Sequence, residues 1–190
     1  MSFDTALFEA LNSLAGSSAL LDSVAVFFAS YSQFLWVLFL LILYFIPSKK
    51  MATHREMVSL SIIAALVARY AVKNSILFFY SRPRPFEVSE VHQLVVTPIV
   101  ENFQSFPSGH ALFFFAIATV IFLFRKDWGV FAYAAAILMG IARVYAGVHW
   151  PSDILAGALL GILVGWGIVK IYGRYLPFYL RPFSAYKKSS

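Results

Sequence analysis

The sequence predicts an all-α fold: a multi-pass transmembrane helical bundle of about five spans, with a short interfacial helix at the N-terminus. Three observations carry this. Of 190 residues, 61% are hydrophobic and only 13% are charged. The mean hydropathy is +0.77, more apolar surface than a soluble domain of this size could bury. Apolar runs also recur at close to the roughly 20 residues needed to cross the hydrocarbon core. The length fits one integral-membrane domain over residues 1–190. No internal repeat or low-complexity segment interrupts it.

In chain order, Phe3, Leu7, Leu11 and Leu14 share one helical face, and Gly16 is a natural stop. That segment is too short to span and is expected in the interface. The first span runs from about Val24 to Ile46, interrupted by Ser30-Tyr31-Ser32-Gln33, and the second covers about Met57 to Tyr80. The third begins at Ser108 and ends near Phe124, and the fourth covers Trp128 to about Val144. The fifth follows Asp153 and ends near Tyr172. The N-terminus lacks the basic start of a cleavable signal peptide and reads as mature sequence. Without Cys, disulfides, thiolate metal sites and cysteine nucleophiles are excluded.

The net charge of +6 resembles a nucleic-acid or anionic-lipid footprint, but its distribution points to topology. Of fifteen basic residues, ten fall at one set of helix ends: Lys49, Lys50, Arg55, Arg125, Lys126, Lys170, Arg174, Arg181, Lys187 and Lys188. By the positive-inside rule these ends face the cytoplasm, with the C-terminus among them. The other five, Arg69, Lys73, Arg82, Arg84 and Arg143, lie in or toward the opposite side, together with His110, His149 and Asp153. Topology disfavours basic residues there, so they need another explanation. No nucleic-acid partner is expected.

Three sequence elements bear on it. In Phe106-Pro107-Ser108-Gly109-His110, Ser108 is a good N-cap and His110 falls in the first helical turn. A helix N-terminus offers unpaired N–H groups and a positive dipole end to an anion, and Gly109 lets a phosphate approach the backbone. Against this stands a plain capped helix start with an incidental His. In Arg143-Val144-Tyr145-Ala146-Gly147-Val148-His149-Trp150-Pro151-Ser152-Asp153, Pro151 suits the first helical position and Asp153 the first turn. Asp153 is then within reach of the His149 ring. A carboxylate on one ring nitrogen fixes the tautomer and makes the other a better nucleophile or base. An Asp that only offsets the helix dipole would leave Arg143 unexplained.

The third element is Lys73 with Ser81-Arg82-Pro83-Arg84-Pro85. Arginine forks match phosphate oxygens, lysine adds a point charge, and the prolines keep the segment extended. A charge at mid-membrane costs about 2.5 to 3.5 kcal/mol, so several cations at one depth imply an anion that meets them. Two imidazoles in different surroundings are what a nucleophile and a separate general acid require.

With these residues in hand, the chain resembles the type 2 phosphatidic acid phosphatase (PAP2) superfamily. Its pattern is a Lys followed at a distance by Arg-Pro, then Pro-Ser-Gly-His, then Ser-Arg-x5-His-x3-Asp. Pro107 to His110 match the second part, and Arg143, His149 and Asp153 match the third, with Ala142 replacing Ser. The resemblance implies that His149 attacks phosphorus to form a phosphohistidine, Asp153 orients it, and His110 protonates the leaving oxygen. It implies that Arg143, Arg82 or Arg84, Lys73, Ser108 and Gly109 bind the phosphate, and that no metal or cofactor is needed. In the first part the family's spacing puts Leu77 or Ser75 at the Lys position; Lys73 lies one helical turn before Leu77, on nearly the same face. The small size, the interfacial helix, Leu20-Leu21-Asp22 and Arg-Pro-Arg-Pro-Phe are similar to the bacterial undecaprenyl-diphosphate phosphatases of this superfamily, which often carry Asp in place of Gly109.

The expected substrate is an isoprenoid (undecaprenyl) diphosphate, cleaved to the monophosphate at the extracytoplasmic face of the cell membrane; membrane lipids are the other partners. A phospholipid phosphatase acting on phosphatidate or phosphatidylglycerol phosphate is the alternative within the same chemistry. A transporter of anions or lipid phosphates is the alternative of another class, but transporter sites sit near the midplane between repeated halves. In the outer loop, Glu87, Glu90, Glu101 and His92 match no metal motif and read as solvated. Phe103, Phe106 and Phe113-Phe114-Phe115 suit a lipid groove or ordinary packing equally.

Overall fold

The computed structural model describes residues 3–47, 50–97 and 104–175. Lys49, Glu101, Phe103, Arg181, Lys187 and Lys188 lie outside them. The described residues are helical apart from turns and loops, with one isolated bridge between Arg82 and Gln104. In order the helices are α1 (Phe3–Asn12), α2 (Ala19–Val26), α3 (Ser32–Phe45), α4 (Met51–Leu66), α5 (Lys73–Phe79), α6 (Pro85–Val88), α7 (Gly109–Phe124), α8 (Lys126–Tyr145) and α9 (Pro151–Tyr175).

The expected break at Ser30 to Gln33 is not a break. A π-helical turn, Phe27–Tyr31, joins α2 to α3, and another, Val67–Val72, joins α4 to α5. The backbone therefore runs continuously from Ala19 to Phe45 and from Met51 to Phe79. These two helices, with α8 and α9, are long and apolar enough to cross a membrane. At 16 residues α7 is shorter, about 24 Å at 1.5 Å per residue. Burial explains how it can be: eleven of its residues, from Gly109 to Ile121, are shielded by α4, α8 and α9. It forms the centre of the bundle, and Leu112, Phe114, Ile117 and Ile121 anchor the main core.

Helix α9 packs on α7 through Gly157, Gly161 and Gly165. A methyl group at these positions would lie 2.7 Å from the Ser108 carbonyl oxygen, 2.6 Å from that of Leu112 and 2.7 Å from that of Ala116. Small residues every fourth position let two membrane helices meet at backbone distance. This close seam fixes the start of α9, and hence Asp153, against the start of α7.

Helix α1 lies across the same end of the bundle. Phe8 is buried against Trp150, ring centroids 5.1 Å apart. Asn12 donates to the carbonyls of His92 and Tyr145 and accepts from the His92 N–H. Phe3, Leu7 and Leu14 point outward, as an interfacial helix requires.

Candidate active site

The site forms where α7, α8 and α9 begin or end. Gly147, at φ +77°, closes α8 in the left-handed conformation that favours glycine. The Val148 N–H returns to the Arg143 carbonyl at 3.2 Å, and the Gly147 N–H to that of Val144 at 3.0 Å. The reversal drives His149 inward, to 1% exposure. Pro151 then opens α9, and Asp153 in its first turn accepts from the Trp150 N–H at 2.9 Å. This back-reaching acid is one half of a capping box.

Asp153 is fully buried and saturated with donors. Its Oδ2 accepts from Ser105 Oγ at 2.5 Å as well as from Trp150, and lies 3.5 Å from His149 Nδ1. Its Oδ1 accepts from Arg82 Nη1 at 2.7 Å. Arg82 also donates to Ser152 Oγ and, through Nη2, to Asp4 Oδ2 at 2.6 Å. Asp4 takes the Ser152 N–H and hydroxyl in turn. Burial alone would raise the Asp4 carboxyl; the hydrogen bonds from Arg82 and Ser152 outweigh it and hold it below its usual range. The Arg82–Gln104 bridge and the Ser105 N–H to the Arg82 carbonyl, 3.0 Å, hold Ser105 beside this network.

The other edge of His149 looks elsewhere. Its Nε2 lies 3.4 Å from Arg84 Nη1, and that same nitrogen of Arg84 donates to the Val148 carbonyl at 3.0 Å. Arg84 is 1% exposed. Burial first, then the charges of Arg143, Arg84 and Lys73, hold the His149 imidazole well below its usual range. It is therefore neutral at pH 7. With Nδ1 toward Asp153 and Ser105, the proton belongs on Nδ1 and the lone pair on Nε2, an assignment made from these partners.

Helix α7 supplies the facing wall. Ser108 caps it, its Oγ accepting from the Ala111 N–H and its own N–H donating to the Asp153 carbonyl at 3.1 Å. The N–H groups of Gly109 and His110 head the helix, where the helix itself provides no acceptor. The half-buried His110 ring stacks on Phe114, 6.4 Å between centroids. Arg143 is buried, donates to the Ala29 carbonyl at 3.0 Å, and lies within electrostatic reach of both imidazoles. Lys73 is buried, with Nζ 3.4 Å from where a Cβ on Gly109 would be. A neutral imidazole edge, a helix N-terminus and several cations thus converge on one space, an arrangement that can bind a phosphate and attack its phosphorus.

The structure brings together His149, Asp153, Arg84, Arg143, Lys73, Ser108, Gly109 and His110. It sets Arg82 apart, on the far oxygen of Asp153 and in contact with Asp4. Lys73 reaches Gly109 although its spacing departs from the family pattern, because it sits at the junction of the second π-helical turn and α5. The sequence reading missed Ser105, Asp4 and Arg69. Ser105 left no local signal. Asp4 reads as an ordinary acid in a first helical turn, and Arg69 was counted among the outer cations without a motif to claim it. Among the described residues no group of three His, Asp or Glu side chains is placed to hold a metal ion.

Comparison with known proteins shows the family and the fold. The PAP2 superfamily profile matches residues 58–176. The chain is 34% identical to the bacitracin transport permease protein BcrC of Bacillus licheniformis, over 82% of this chain and 74% of that one. It is 29% identical to the undecaprenyl-diphosphatase BcrC of Bacillus subtilis, over 90% and 86%. The crystal structure of Aquifex aeolicus LpxE superimposes with a TM-score of 0.69 at 30% identity, covering 90% of this chain and 96% of that one. With a family profile over more than half of its residues and a matching fold, the chain belongs to the PAP2 superfamily and is a membrane lipid phosphatase.

Proposed function

We propose that this phosphatase cleaves an isoprenoid diphosphate, of the undecaprenyl class, to its monophosphate through a phosphohistidine on His149. The observation that carries the chemistry is the two-sided setting of that ring: Nδ1 toward Asp153 and Ser105, Nε2 toward Arg84. Nε2 attacks the terminal phosphorus. The bond from that phosphorus to the bridging oxygen breaks, and His110, which takes up a proton when the anionic substrate binds beside it, gives that proton to the oxygen as the lipid monophosphate leaves. Asp153 balances the charge that develops on the imidazole. Water then attacks the phosphohistidine with His110 as base, releasing inorganic phosphate and restoring both rings. The first-turn N–H groups of α7, with Arg84, Arg143 and Lys73, hold the phosphate oxygens.

The substrate class is supported by the B. subtilis relative, whose name states undecaprenyl-diphosphatase activity and which aligns along most of both chains. The B. licheniformis relative is named for transport, but a carboxylate-backed imidazole facing a guanidinium suits phosphoryl transfer rather than passage. The basic-residue count supports an extracytoplasmic site.

Purified protein in detergent should release phosphate from undecaprenyl diphosphate faster than from phosphatidate, phosphatidylglycerol phosphate or a lipid A phosphate in a side-by-side panel. Preference for a phospholipid would replace the substrate, and no release from any of them would return the transport reading. For sidedness, a Cys at Glu90 should react with an impermeant thiol reagent on intact cells, and one at Lys50 only after permeabilisation. Reversed labelling would place the site on the cytoplasmic face.

A further inference from the structure

Arg69 belongs to no motif, yet it sits at the edge of the site. It lies in the π-helical turn Val67–Val72, and Lys73 follows four residues later at the head of α5. Wide π turns shift the register of a helix and recur at functional sites. Here the turn brings both side chains to the same place: a methyl group on Gly109 would lie 3.0 Å from Arg69 Nη1 and 3.4 Å from Lys73 Nζ. Arg69 is half-buried in the outer part of an apolar helix. It has no hydrogen-bond or salt-bridge partner among the described residues. A guanidinium so placed is costly unless an anion meets it.

The cations are ordered across the site. Arg84 lies 3.4 Å from His149 Nε2, whereas Arg69 and Lys73 meet at Gly109, the residue next to His110 at the head of α7. If His149 takes the terminal phosphate and His110 serves the leaving oxygen, the leaving group lies on the Arg69 side. For a monophosphate ester that group is a neutral alcohol. For a diphosphate it is itself a phosphate, and its charge grows as the anhydride bond breaks.

We propose that Arg69, with Lys73, forms a subsite for the second phosphate of a lipid diphosphate, the one that stays with the lipid, and that this subsite sets the preference for diphosphates over monophosphates. The proposal rests on the phosphohistidine reading above and deepens it. In the transfer step the electron pair of the broken P–O bond goes to the bridging oxygen, His110 supplies the proton, and Arg69 neutralises the charge remaining on the departing phosphate. No oxidant, reductant or further reactant enters.

The test is the ratio of kcat/KM for undecaprenyl diphosphate to that for undecaprenyl monophosphate, in wild type, Arg69→Gln and Arg69→Lys. The Gln variant should lower the ratio by about 10- to 100-fold, the range of one lost charge-assisted hydrogen bond. The Lys variant should fall between. An equal loss on both substrates overturns the subsite and leaves the phosphatase reading intact. Wild type with no diphosphatase activity overturns the substrate reading and the subsite with it. A measurement independent of any variant uses competition in EDTA: inorganic pyrophosphate should inhibit wild type at least about tenfold more tightly than orthophosphate. Equal inhibition by the two anions would also overturn the proposal.

Discussion

Arg82 and Arg84 stand two residues apart on one proline-stiffened segment, yet they serve opposite sides of the same histidine. Arg82 reaches two carboxylates, Asp4 and Asp153, and ties α1 to the first turn of α9. Arg84 is buried beside His149 Nε2 and the Val148 carbonyl. Alternation along an extended chain sends neighbouring-but-one side chains to the same face. Here they do not share one: Arg84, itself extended as the cap of the helical turn that starts at Pro85, is buried, whereas the Arg82 side chain is partly exposed. A cation committed to carboxylates builds the scaffold; in the proposed mechanism, the one beside His149 Nε2 meets the substrate.

That contrast can be broken at several points. The largest effect belongs to the ring between the two arginines. His149→Asn should lower kcat by at least about a thousandfold, the scale of losing a nucleophile, with the melting temperature in detergent little changed. Appreciable residual turnover would remove His149 from that role.

Next, Arg84→Ala should lower kcat/KM by about a hundredfold and weaken competitive inhibition by inorganic phosphate. Arg82→Ala should leave phosphate inhibition intact while lowering kcat and stability, since Asp153 loses a charge-assisted hydrogen bond, about 1.5–3 kcal/mol. Matching inhibition constants in the two variants would erase the distinction drawn between them.

A smaller effect is expected one shell further out. Asp4→Asn should lower kcat by roughly tenfold with KM nearly unchanged, because Asp4 acts only through Arg82 and Ser152. The folded Asp4 carboxyl lies below its usual value of 3.8. Its contribution to stability is therefore present above about pH 4 and is lost as pH falls through the folded value. The Asn defect should accordingly stay constant between about pH 6 and 9. A defect that vanished within that range would contradict the assignment. The smallest effect is that of chelation: activity should survive EDTA after metal stripping, since fixed cations already neutralise the phosphate. Restoration only by added Mg²⁺ would sink the metal-free mechanism.

Hydropathy made the bundle legible, and helix signals made His149, Asp153 and His110 legible, because each belongs to a local pattern: apolar runs, Pro151 at a helix start, Ser108 at a cap. What stayed hidden depends on long-range contact. Arg82 and Arg84 are each followed by Pro, and what separates them is long-range: Asp4 and Asp153 meet one, Val148 and His149 the other. Asp4 meets Arg82 across 78 positions, and Ser105 meets Asp153 across 48. The π-helical turns were also unreadable, since a run of apolar residues looks alike in either register. They place Arg69 and Lys73 at Gly109 and turn an irregular motif spacing into a workable one. The glycines of α9 were readable in principle, as a small residue at every fourth position, and they explain why α7 can be short.

The central claim is that His149 carries the phosphoryl group. Rapid quenching of wild-type enzyme turning over a lipid diphosphate labelled in its terminal phosphate tests it most directly. The account predicts an acid-labile, base-stable label on the peptide containing His149, formed before phosphate is released and absent in His149→Asn. Phosphate release at the full rate with no labelled protein, or a label on any other residue, would contradict it.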